Sequence, residues 1–274
     1  MGEFRTVTTA CDDIRITSLA ERPALIPRVY EIADTWPPFI PHDLVGSALL
    51  GRVVEDFPDY CVVATDGDRV VARGLAVPFD GSADGRDVTP DQGWDRVLTW
   101  AYHDRRRGRA VTAASALEIT VDTAYLGRGL SYRMLEAMRD AAARRGHDAL
   151  FAPVRPTAKH LHPHVPMAEY IGRRRDDGLP EDPWLRVHVR NGGTIVKVAP
   201  ASMTVSGSLA QWRGWTGLPF DRDGEVEVPG ALVPVRCDLA LDRAVYVEPN
   251  VWIRHRTAGD GTSEQRTAAA AVRA

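Results

Sequence analysis

Cysteine is scarce and scattered. Cys11, Cys61 and Cys237 lie far apart and none belongs to a CxxC spacing. That argues against a disulfide framework or a cysteine zinc site and fits a reducing compartment. No apolar run approaches the roughly 20 residues that span a bilayer. The opening MGEFRTVTTACDD has no apolar segment of the kind a secretory signal carries. An excess of positive charge is also missing. A net charge of -3 and a pI near 6.2 give no global field for nucleic acid or an anionic membrane. The expectation is a cytoplasmic protein with neither a membrane nor a nucleic acid as partner.

What is present is a chain of 274 residues, enough for one large domain or two modest ones and easily enough to bury a core. Residues 1–12 are expected to be flexible, and the small, polar, Ala-rich stretch 257–274 to be a disordered tail. Between them the pattern reads strand, helices, strands, helix, strand, helix, strands. The first strand is Asp13–Leu19, with helical stretches at Pro23–Asp34 and Val45–Phe57. Tyr60–Thr65 and Arg69–Pro78 are β-branched runs joined by Asp66-Gly67-Asp68, a hairpin signal. Residues 80–112, with one helix over Trp94–Asp104, read as an insertion lying outside the core. Ala116–Val121 alternates cleanly, with Glu118 and Thr120 on one face. Leu130, Met134, Met138 and Ala141 then form a helical stripe that Gly146 terminates. Ala149–Val154 is a short buried strand. Asp182-Pro183 reads as an N-cap followed by proline at the first helical position, and Thr194–Val198 as the strand behind that helix. Strands and turns are expected over the remainder, which holds Trp212, Trp215 and Trp252.

The stretch richest in chemistry is the turn between Val121 and the helix, Leu126-Gly127-Arg128-Gly129-Leu130-Ser131. Glycines let a backbone approach a ligand closely, and free N–H groups at a helix start bind anionic oxygens. A bound pyrophosphate explains both features, and a plain strand–helix connection is the competing reading. The absence of GK[ST] excludes a P-loop. A dinucleotide fold would need a third glycine and repeated parallel βαβ units.

At this turn the chain resembles the GNAT superfamily of acyl-CoA-dependent acyltransferases, whose signature is Q/R-x-x-G-x-G/A after the fourth strand. Gly129 matches it and Ser131 nearly so, whereas Leu126 stands where the pattern has Gln or Arg. The resemblance implies an α/β (α+β) GNAT fold: a central mixed, mostly antiparallel twisted sheet flanked by helices, over residues 13–256. It implies that acetyl-CoA or another acyl-CoA is the co-substrate. The coenzyme would be held by Gly127, Arg128, Gly129, Leu130 and Ser131, with the backbone of Thr120 and Val121 pairing with the pantetheine arm.

The same likeness directs attention to acids and bases. His188 stands where many members carry a Tyr that protonates the leaving thiolate, and its other reading is a packed, half-buried imidazole. Glu118 sits where several members keep a base; otherwise it faces water or pairs with an arginine. Thr157, following the strand 149–154, resembles with His188 the Thr and His of GNAT-like decarboxylase domains in polyketide synthase loading modules. In that reading Trp36 walls the substrate pocket, and otherwise Thr157 is only a turn residue. His160, His162 and His164 form HLHPH, where no carboxylate or cysteine completes a metal set. A solvated loop and no metal are expected.

Three functions follow. Acyl transfer from coenzyme A to a small amine or hydroxyl acceptor leads. Decarboxylation of malonyl- or methylmalonyl-CoA, and coenzyme A binding without catalysis, are the alternatives. The partner is a small-molecule acceptor or a carrier-protein thiol, and a homodimer is allowed.

Overall fold

The computed structural model describes residues 14–33 and 35–257. The reading of 1–12 as flexible therefore lies outside the described residues, as does that of 258–274. Thr257 itself is buried, its hydroxyl donating to the His147 carbonyl at 2.6 Å.

Strands β1 (Ile14–Ser18), β2 (Val62–Asp66), β3 (Arg69–Phe79) and β4 (Ala113–Val121) form an antiparallel half-sheet in that order. The β2–β3 connection closes at Gly67, whose φ of 56° suits the expected hairpin turn. Helices α1 (Leu44–Leu49), α2 (Val53–Asp56) and α3 (Gly93–Arg107) precede β4, and α4 (Leu130–Arg144) follows it. Strand β5 (Ala149–Val154) pairs parallel with β4 and antiparallel with β9 (Arg243–Arg256). Short helices α5 (Met167–Tyr170) and α6 (Pro183–Arg190) lead to β6 (Thr194–Gly207), which lies along the other edge of β9. Helix α7 (Leu209–Thr216) and strands β7 (Gly224–Val226) and β8 (Val235–Asp238) complete a mixed sheet in which only β4–β5 is parallel. This is the mixed, mostly antiparallel architecture expected from the sequence.

Helices cover the two faces of β3. On one, a Cβ at Gly74 would lie 2.7 Å from the Met138 sulfur, so only glycine lets α4 approach this closely. On the other, Arg73 points toward the 3-10 helix Pro23–Glu31, donating to the carbonyls of Val29 and Ile32.

Five stretches differ from the sequence reading. The stretches 23–34 and 45–57 become a 3-10 helix and broken single turns, because Pro27 and Gly51 interrupt regular α-helix. Segment 80–112 does not stand outside the core. Trp94, Val97, Leu98 and Ala101 of α3 are buried in the common hydrophobic cluster, and the Trp94 amide donates to the Ser202 hydroxyl at 2.8 Å. Strand β6 continues past Val198 through a register shift between Ala199 and Met203, where Pro200 cannot join the ladder. Helix α7 occupies what was read as strand or turn, nucleated by a capping box between Ser208 and Gln211.

Candidate active site

The cleft exists because β4 and β5 pair over only two positions, Ala114↔Leu150 and Ser115↔Phe151. Beyond them the strands diverge, and the β5-facing edge of residues 116–121 has no neighbour strand. A bulge helps: β3 pairs Leu75 with Glu118 but Ala76 with Ala116, so Leu117 is extra. The freed Leu117 carbonyl accepts from the Trp94 indole at 3.0 Å, which brings α3 into the wall. The result is a cavity of about 520 Å³ bordered by β4 residues 116–121, β5 residues 152–154, Trp36, Thr157 and His188.

The glycine turn opens at one end of this cleft. Gly127 and Gly129 have φ of 75° and 72°, left-handed values that L side chains rarely adopt, and no atom lies within 4 Å of where their Cβ would be. Gly129 caps α4, whose first bond runs from the Arg133 amide to the Gly129 carbonyl. The amides of Leu130, Ser131 and Tyr132 are therefore unspent and carry the positive end of the helix dipole. Leu126, in the place of the signature's polar residue, is 61% exposed at the cleft border. The Arg128 guanidinium lies 5.1 Å from the Tyr125 ring centre.

Two buried ion pairs line the walls. Glu118 accepts from Arg73 Nε at 2.6 Å, with both side chains almost wholly enclosed, and the same carboxylate oxygen accepts from the Thr120 hydroxyl. Thus the arginine-paired reading of Glu118 describes its geometry, while the side chain also borders the cleft. Opposite, Arg155 Nε donates to Glu248 Oε2 at 3.0 Å; the Tyr246 hydroxyl and the Asn250 amide complete the shell of that carboxylate. Burial and the neighbouring Glu248 raise the Tyr246 phenol, so it stays protonated and donates.

His188, on α6, is buried with Nδ1 2.8 Å from Nε2 of His255, and its Nε2 has no partner among the described residues. Burial and the second imidazole depress His188 well below the ordinary histidine range; burial and Arg139 lower His255 to about 4. At neutral pH the pair is uncharged, so His188 offers a neutral imidazole and not the imidazolium that titration near neutrality would supply. The helix is set as anticipated: Asp182 Oδ1 accepts from the Trp184 and Leu185 amides at 2.9 and 3.0 Å. Thr157 is exposed to the cleft, its carbonyl accepting from His160 Nδ1 at 2.8 Å.

The fold thus gathers Trp36, Glu118, Thr120, Val121, Leu126, Ser131, Thr157 and His188 around one cavity. Sequence reasoning missed Trp94, Arg155, Glu248 and His255. It singled out HLHPH but not that His160 lines the cleft while His164 turns out to Glu227. Trp212 is wholly buried, with its indole on the Ala244 carbonyl, and belongs to the core. Among the described residues no cluster of three His, Cys, Asp or Glu is arranged to hold a metal, and no helix is long and apolar enough to cross a membrane.

The chain matches no protein-family model. It is 32% identical over 272 residues to the arginine N-acetyltransferase avaD of Aspergillus versicolor, covering 88% of this chain and 93% of that protein. In structure it is similar to the loading GNAT-like domain of CurA from Lyngbya majuscula, with a TM-score of 0.54 and 16% identity. That match covers 89% of this chain and 98% of that one. A further similar structure is the GphF GNAT-like decarboxylase in complex with isobutyryl-CoA, with a TM-score of 0.49 and 18% identity over 89% and 98% of the two chains. The class this defines is an acyl-CoA-dependent N-acyltransferase, shown by the 32% identity over 88% of the chain and matched by the splayed β4–β5 pair beside a glycine turn at a helix start. The chain belongs to the GNAT superfamily of acyl-CoA N-acyltransferases.

Proposed function

We propose that this enzyme moves an acetyl or related acyl group from coenzyme A to the amine of a small, arginine-like acceptor. The observation that carries the reading is the divergence of β4 from β5 beside the Gly127–Ser131 turn. The amides of Gly127, Gly129, Leu130 and Ser131 hold the pyrophosphate, with Arg128 adding charge next to it. The unpaired edge of Thr120 and Val121 takes the pantetheine amides as an added strand, directing the thioester into the cavity. Trp36, with the Arg155 guanidinium 5.9 Å from its ring centre, walls the acceptor end. His188 Nε2 and the Thr157 hydroxyl contact the acyl group. The acceptor class draws on the avaD likeness. The same reading keeps the enzyme in a reducing cytoplasm, where Cys61 and Cys237 are buried free thiols.

Decarboxylation of a malonyl thioester is the second reading, favoured by Thr157 and His188 bordering the same cleft. Mass spectrometry separates the two. Acetyl-CoA with L-arginine should give an acetylated amine and free thiol. Malonyl-CoA converted to acetyl-CoA and carbon dioxide without any acceptor, alongside no acetylated amine from acetyl-CoA and L-arginine, would replace transfer with decarboxylation.

A further inference from the structure

Amine acylation, on the reading just given, requires a base, because a free amine attacks a thioester and an ammonium does not. The cleft is lined by five titratable or charged groups, and four are poorly suited to exchange a proton with solvent. Glu118 is in its ion pair with Arg73, and Glu248 is enclosed by Arg155, Tyr246 and Asn250. Arg155 is a cation. His188 is wholly buried, and its tautomer is shared with His255. His160 differs from all of them.

His160 sits on the single turn Lys159–Leu161 and borders the cavity while only half-buried. Its Nδ1 is 2.8 Å from the Thr157 carbonyl oxygen. A carbonyl can only accept, so Nδ1 carries the hydrogen, and in the neutral ring the lone pair is left on Nε2. Nε2 has no hydrogen bond among the described residues. The turn beneath it is firmly fixed. Lys159 is fully buried, with Nζ donating to the carbonyls of His162 at 2.8 Å and Leu232 at 2.6 Å, and the Ala158 amide donates to Asp182 Oδ2 at 2.8 Å. Asp182 also caps the helix that carries His188, so one carboxylate sets the positions of both imidazoles.

We propose that His160 is the general base of the transfer reaction, with Nε2 taking the proton from the acceptor's ammonium group. The freed nitrogen lone pair then forms the C–N bond at the thioester carbonyl carbon. The tetrahedral intermediate collapses with cleavage of the C–S bond, coenzyme A leaves as the thiolate, and the second nitrogen proton passes to that sulfur. The products are the amide, the thiol and the His160 imidazolium, which returns its proton to water through the open cleft mouth. The Thr157 carbonyl stabilises this imidazolium through Nδ1–H.

The test compares full-length wild type, His160→Ala and His160→Gln with acetyl-CoA and L-arginine. Both variants should lose about 100-fold or more in kcat/KM, with coenzyme A affinity by calorimetry unchanged. The rise of wild-type kcat/KM with pH should move to the alkaline side in His160→Ala, where only acceptor already present as free amine reacts, and added imidazole should restore part of its rate. A variant within about threefold of an active wild type would overturn the base. So would a loss that imidazole does not relieve and that leaves the pH profile in shape, which would reduce His160 to a positioning residue for Thr157. Absence of acetylated product from wild type would instead overturn the transfer reading itself.

Discussion

Gly127 and Gly129 meet a conformational demand, and the proposed coenzyme site adds a second one that a substitution can tell apart. The first is conformational, since an L residue at their left-handed φ is strained by about 1–2 kcal/mol. The second is spatial, because the room over their missing Cβ atoms is where phosphate oxygens would sit. Gly146, just past α4, has the same first demand, with φ of 81° and nothing within 4 Å, but stands at the opposite end of the helix. Gly129→Val should therefore abolish coenzyme A binding in a folded protein, while Gly146→Ala should cost similar stability and leave affinity intact. Titration calorimetry with thermal melts checks both; equal affinity in the two variants would refute the phosphate assignment. The glycine pair was legible because its constraint is local, written in consecutive residues. His255 was not read, although Arg254-His255-Arg256 alternates as a half-buried strand does and puts the imidazole inward. Its meaning depends on α6 bringing His188 against it, which no local pattern encodes.

At the scale of the element, α3 shows how a segment that reads as an addition becomes part of the frame. Its apolar stripe packs on β3 and β6, and its C-terminal end is clamped to the loop before it. Asp104 is wholly buried and accepts from Arg86 through both oxygens, at 2.6 and 2.8 Å, and from the Asp80 amide at 2.8 Å. Burial opposes the charge, yet Arg86 and the Asp80 amide outweigh it and hold the carboxyl below its ordinary value. Because the folded value is depressed, the stabilisation is complete above the unfolded carboxyl range and is lost as pH falls through the folded one. Asp104→Asn should thus destabilise the protein by about 3–5 kcal/mol at neutral pH, and by progressively less in acid. Urea melts across pH check this; a pH-independent difference would assign the cost to packing. In the sequence the polar face of this helix and its Arg105–Arg107 end concealed the inward stripe. β6 was similarly shortened, because Pro200 ends a local strand pattern that the pairing with β9 carries through.

For the molecule as a whole, the order of elements was legible from periodicity and turns, but the site depends on where two half-sheets part. The β1–β4 half and the β5–β9 half are joined in register by only the two β4–β5 pairs, with α3 spanning them through Trp94 and Ser202. On the proposed reading, a ligand seated in the opening would pair with both the free edge of β4 and the start of α4, and would bind the folded state alone. Mass action then adds about 2.7 kcal/mol at a hundredfold excess over Kd. That linkage has a local signature in hydrogen exchange. Without ligand, the amides of residues 130–132 have no acceptor and should exchange fast. On the part of β4 facing β5 the outward amides of residues 116–121 should do the same, while those paired with β3 are protected. Coenzyme A should slow the first two groups together and leave Gly146 and the β2–β3 turn unchanged. Protection of residues 130–132 without β4 would mean that the pyrophosphate binds but the pantetheine does not follow the strand edge. Protection of neither, with the melting temperature still raised, would move the coenzyme out of this cleft.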